Sequence, residues 1–166
     1  MAPRLELDVS YAARRPWVPS SRQLAGWAAA ALAPARRAPT RGAPTRGALR
    51  RPCVVLSVRV VGQARSRSLN AHYRHKKRPT NVLSFSGAGD APDGRHYLGE
   101  LVICAPVVAR EAEAGGKSLR AHWAHMTIHG VLHLQGFDHE AAREAAKMAA
   151  REIQILDRLG FSDPYC

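Results

Sequence analysis

The chain has 166 residues, 46% of them hydrophobic, with 25 Lys and Arg against 13 Asp and Glu, for a net charge of +12. This length suits one domain, taken here as 1–166, able to bury its own core, and the apolar fraction excludes wholesale disorder. Such basicity favours polyanionic partners, although a solubilising surface accounts for it equally well, and charge alone says nothing about chemistry.

In chain order, Leu5 to Ser10 alternates apolar and polar residues, as a half-buried strand does. Ser20 or Ser21 stands where a cap belongs, before a helix through Leu24, Trp27 and Leu32 that stops near Pro34. Its apolar run, Leu24 to Ala33, is too short for a membrane span and reads as part of a soluble amphipathic helix. At about 36–50 the tandem Ala-Pro-Thr-Arg-Gly repeat has no large apolar anchor, which predicts a flexible basic loop.

Cys53 to Val61 is β-branched and apolar, hence a strand; Arg65 to Arg74 is helix-like, with Leu69 and Tyr73 four apart on one face. Asn81 to Phe85 and Tyr97 to Cys104 read as two more strands, separated by a Gly, Asp and Pro-rich turn from Gly87 to Gly94. Val107 to Ala114 predicts a helix ending at Gly115-Gly116. A second, capped by Ser118, runs to about Gln135. A last one, from about Glu140 to Leu159, sets Ala145, Met148, Ile153, Ile155 and Leu156 near its buried side. Strands early and helices late make an α+β chain. Cys53, Cys104 and Cys166 are odd in number and widely spaced, which fits a reducing cytoplasm better than a disulfide framework.

The chemistry concentrates in His129-Gly-Val-Leu-His133-Leu-Gln-Gly136-Phe-Asp-His139. Positions i and i+4 of a helix project side by side, so His129 and His133 can share one cation. Gly136, free to adopt a left-handed conformation, ends the helix and brings His139 round as third ligand. Three neutral nitrogens at about 2.0–2.1 Å suit one Zn²⁺ and leave a fourth tetrahedral position for a water that the ion acidifies toward neutrality. His122 and His125, earlier on the same helix, are assigned to packing or to hydrogen bonds around the site, and Asp138 either orients a ligand or caps the last helix.

This spacing resembles that of the metzincin zinc peptidases, with one departure: their general-base Glu is Gly130 here, so the helix offers no carboxylate beside the metal water. With Leu132, Leu134 and Asp138 included, the segment resembles the signature of the YbeY family of bacterial endoribonucleases that mature ribosomal RNA. Leu69-Asn70, Tyr73-Arg74, Pro79 to Phe85, Leu98 to Ile103, Ala121 to His125 and Asp163-Pro-Tyr165 match the same family in the same order. Departures are His75-Lys76-Lys77 where Gly-Lys-Asp is common, Phe137 for Tyr, and Glu100 for Asp.

The resemblance implies a zincin-like, single-metal hydrolase fold, a small mixed sheet of about four strands packed by about five helices. It also implies cleavage of single-stranded RNA, not DNA, at the small ribosomal subunit, in rRNA maturation and ribosome quality control, in the cytoplasm and away from membranes. Arg74 matches the family's functionally important arginine. It precedes His75, Lys76, Lys77 and Arg78, where a guanidinium and neighbouring cations suit phosphate, or else simply meet a helix dipole. The rival readings are a zinc peptidase or amidase, which lacks its glutamate, and a non-catalytic ribosome assembly factor stapled by structural zinc.

Overall fold

The computed structural model describes residues 3–34 and 53–166. The elements run β1 (Arg4–Tyr11), α1 (Ser21–Leu32), β2 (Cys53–Val61), α2 (Gln63–Arg74), β3 (Val82–Asp90), β4 (Arg95–Cys104), α3 (Ala105–Ala114), α4 (Leu119–Leu134) and α5 (Ala142–Arg158). The predicted loop at about 36–50 lies outside the described residues.

The sheet has the order β1-β2-β4-β3, with β1, β2 and β4 parallel and β3 antiparallel at one edge. In β2 the continuous apolar run divides between two faces. Val54, Leu56, Val58 and Val60 enter a core shared with Leu24, Trp123, Ile128 and Leu132, while Val61 joins Leu83, Val102 and Cys104 on the opposite face, which α2 partly covers. Each large aliphatic side chain buried this way contributes about 1.5–3 kcal/mol. Among the described residues this is the α+β architecture expected, with four strands and five helices.

Helix α4 is the structural centre. Its residues from His122 to Ile128 are all buried, as expected of a helix enclosed on every side. Ser118 Oγ caps it by accepting the Ala121 N–H at 3.1 Å. At Gly130 it lies so close to the sheet that a Cβ would stand 2.7 Å from Leu101 Cδ2. Any side chain at position 130 would have to displace the tip of Leu101, so glycine there serves the close packing of α4 on the sheet.

Two boundaries differ from expectation. The stretch read as a turn from Gly87 is strand through Asp90, and only Ala91 to Gly94 reverse the chain. Here the glycines serve strand pairing: a Cβ on Gly87 would meet the Tyr97 carbonyl oxygen at 2.2 Å, and one on Gly99, at φ +147°, the Phe85 carbonyl oxygen at 2.2 Å. The last helix begins at Ala142, because Asp138 Oδ1 accepts the N–H groups of His139 (2.6 Å) and Glu140 (3.2 Å) and holds them in a turn. Asp138 thus shapes the loop that carries His139 and does not cap α5, whose N-cap is Ala141.

Candidate metal centre

Helix α4 ends as a Schellman motif: Gly136 N–H donates to the His133 carbonyl at 3.0 Å and Phe137 N–H to that of Leu132 at 3.1 Å, with Gly136 at φ +93°. The chain doubles back and carries His139 toward the last turn. His129 Nε2 lies 3.1 Å from His133 Nε2, which lies 3.0 Å from His139 Nδ1.

The surroundings prepare these nitrogens in two ways. His129 donates its Nδ1–H to Glu152 Oε1 at 2.5 Å, so its Nε2 carries a lone pair facing the cluster. Burial first, then the neighbouring rings of His129 and His139, pull His133 below the ordinary histidine pKa, which favours its neutral, ligating form. Ligands bonded at about 2.0–2.1 Å in a tetrahedral arrangement stand roughly 3.3 Å apart. Nitrogens at 3.0 and 3.1 Å are at that spacing, and a shared cation relieves the repulsion of their lone pairs. The donor set fits a metal ion.

A second group, His125, His129 and Glu152, also has ligand atoms close together. Its atoms are joined by hydrogen bonds, however, and the carboxylate is fully buried, so it braces the first group from behind. Glu152 Oε1 accepts from His129, and Oε2 accepts from His125 Nε2 at 3.0 Å and from the Tyr165 hydroxyl. Burial acts to raise the Glu152 pKa; these three donors outweigh it and hold the carboxyl at about 2. Tyr165 is raised in return, by burial and by the carboxylate it faces.

Glu152 is the residue that sequence reasoning overlooked, the neighbouring Ile153 having been placed on the buried side. Its signal was a single acid on the apolar face of α5, between Met148 and Ile155. Of the two histidines assigned to packing or to hydrogen bonds around the site, His125 bonds Glu152 behind His129, whereas His122 Nε2 bonds Glu111 Oε2 at 2.8 Å, and Glu111 also receives Asn81 Nδ2 at 3.1 Å.

The three imidazoles open into a groove of about 500 Å³ whose lining includes Arg74, Lys76, Asn81, Ser84 and Ser86. Of the four cations expected at the substrate, Arg74 and Lys76 reach this groove, while Lys77 and Arg78 are exposed outside its lining. The basic segment is pinned from below. Buried Asn70 donates from Nδ2 to the Arg78 carbonyl at 2.7 Å, and Ser66 Oγ donates to the Thr80 carbonyl at 3.0 Å. Asp138 and Glu140 line the far wall beside His139.

A mixed four-stranded sheet packed by helices, one of them glycine-terminated and presenting three converging histidines, defines an α+β fold that carries a candidate metal site. Residues 43–160 match the family model described as Endoribonuclease YbeY. Proteins named Endoribonuclease YbeY from Stenotrophomonas maltophilia (strain R551-3) and Xanthomonas campestris pv. campestris (strain B100) are 46% and 48% identical to this chain, each match covering 98% of it and 94% of the relative. One from Alkalilimnicola ehrlichii is 47% identical, over 99% of this chain and 93% of the relative. The solution structure of TM1509 from Thermotoga maritima superposes with a TM-score of 0.51 at 18% identity, covering 93% of this chain and 91% of that one, a likeness of fold. The chain belongs to the YbeY family.

Proposed function

We propose that this chain is an endoribonuclease that hydrolyses phosphodiester bonds of single-stranded RNA, with one divalent ion, zinc by its donor set, held by His129, His133 and His139. The observation that carries this reading is the convergence of three imidazole nitrogens in the same groove as Arg74 and Lys76. The family's printed name supplies the reaction class. When bound, such an ion supplies Lewis acidity toward water and toward a phosphoryl oxygen.

The chain's own groups do the rest. Glu152 fixes the tautomer of His129 so that Nε2 faces the groove. Arg74 offers a planar fork of N–H donors to two phosphate oxygens, and Lys76 a point charge, both where negative charge builds up as the bond breaks. The absence of acids among residues 62–89 leaves this wall uniformly positive toward a phosphate strand. With Gly130 at the position where a peptidase carries its glutamate base, α4 offers no carboxylate there.

We further read the chain as one domain that acts on small-subunit ribosomal RNA, in its maturation and in ribosome quality control. The family match supports that setting. Among the described residues, no helix is long and apolar enough to cross a membrane, and no cysteine is in a disulfide, in keeping with a cytoplasmic setting.

The test compares wild type with His133→Ala for metal content and for cleavage of single-stranded RNA. Wild type should bind one equivalent and cleave; the variant should lose both while remaining folded. Failure of metal-loaded wild type to cleave RNA would overturn the proposal. Collapse of the fold on metal loss, with RNA binding lost alongside it, would instead mark the metal as structural.

A further inference from the structure

One family-motif residue is not used by the metal groove. Tyr73, next to Arg74 on the last turn of α2, leaves 56% of its surface exposed, unusual for an aromatic on a helix whose buried residues are only Ser66 and Asn70. Its ring stands edge-on to Phe85, with centroids 4.9 Å apart and planes at 65°, and His72 packs against it at 4.6 Å. Phe85 lies on edge strand β3, on the face of the sheet that α2 only partly covers.

Two hollows flank Phe85 on that face. One, of about 290 Å³, is walled by Arg65, Leu69 and Tyr73; the other, of about 350 Å³, runs past Ser86 to Tyr97. Ser86 also lines the metal groove, so the groove and the open face meet across the β3 edge. The acid nearest these hollows, Glu100, is already met by Arg59 at 2.9 Å, and Arg65 makes no ion pair among the described residues. From residue 62 to residue 89 there are six Lys and Arg and no Asp or Glu.

We propose that Tyr73, braced by Phe85, is a stacking shelf for an unpaired base of the RNA strand beside the phosphate that Arg74 holds, with Arg65 taking an adjoining phosphate. The inference rests on the RNA reading above and extends it to a nucleotide outside the metal groove. Consecutive residues on a last helical turn diverge by about 100°, so Arg74 can turn to the groove while Tyr73 turns to the sheet face. An exposed aromatic ring among cations, with no nearby acid left unpaired, suits a base with its flanking phosphates, since every base has a π-face and the cations meet its backbone. It suits an acidic protein surface less well, because the ring itself carries no charge.

The experiment measures binding of a labelled, cleavage-resistant 2′-O-methyl phosphorothioate oligoadenylate of about twelve nucleotides, and of an abasic strand of equal length, to the full metal-loaded chain. Tyr73→Ala should weaken oligoadenylate binding by about tenfold, Tyr73→Phe should stay within about twofold of wild type, and neither should change binding of the abasic strand. Thermal unfolding should barely move, because the ring is more than half exposed. Oligoadenylate binding by Tyr73→Ala within about twofold of wild type overturns the shelf, as does an equal loss for the abasic strand. RNA cleavage by wild type, followed in parallel, reports separately on the proposed function: Tyr73-dependent binding without cleavage would sink the catalytic reading and leave the shelf standing.

Discussion

Replacing Glu152 with glutamine keeps the shape of a fully buried side chain and removes its charge. The carboxylate accepts from three donors: His129 Nδ1 at 2.5 Å, His125 Nε2 at 3.0 Å and the Tyr165 hydroxyl. Glutamine has one oxygen and one NH₂, so either orientation turns an N–H toward a donor. With NH₂ toward His129, that ring must move its proton to Nε2, into the metal seat. With NH₂ toward His125 and Tyr165, both donors lose their acceptor, and His125 is buried. The carboxyl titrates at about 2 in the folded chain against an ordinary 4.5, a gap equivalent to roughly 3 kcal/mol at neutral pH. The expected loss in urea unfolding of metal-free Glu152→Gln is therefore about 2–3 kcal/mol. Competition with a chromophoric chelator should show metal affinity about 10- to 100-fold weaker. Stability within about 0.5 kcal/mol of wild type, together with unchanged metal affinity, would refute the role assigned to this carboxylate.

Arg74→Glu should keep its metal but lose at least about a hundredfold in RNA cleavage, measured under single-turnover conditions. Because Glu152 titrates lower folded than unfolded, its contribution to stability is complete above pH 4.5 and is lost as pH falls toward about 2. Urea unfolding of the metal-free chain should show that decline, and Glu152→Gln should flatten it. His133 is pulled below its ordinary value of 6.5, so metal content measured after acid dialysis should hold at neutral pH and fall only below that value. Gly99→Ala would drive a Cβ to within 2.2 Å of the Phe85 carbonyl oxygen at φ +147°, and thermal unfolding should show a loss on the order of 3 kcal/mol.

What the sequence determined by itself was whatever depends on neighbours a few residues away. The Ser20 and Ser118 caps, the β-branched run from Cys53 to Val61 and the i, i+4 pair with its glycine bend are local, so the elements and the three converging histidines were legible. Tertiary packing decided the remainder. Glu152 reaches His129 only because α5 lies against α4, across 23 residues of chain, and Tyr165 reaches Glu152 across a further 13. Gly87 looks like a turn residue until its backbone is seen pressed against that of Tyr97 at a bulge. Gly130 likewise reads as a missing base until its close approach to Leu101 is seen. Periodicity specifies which face of an element is buried, but which groups meet there is set by how those faces dock.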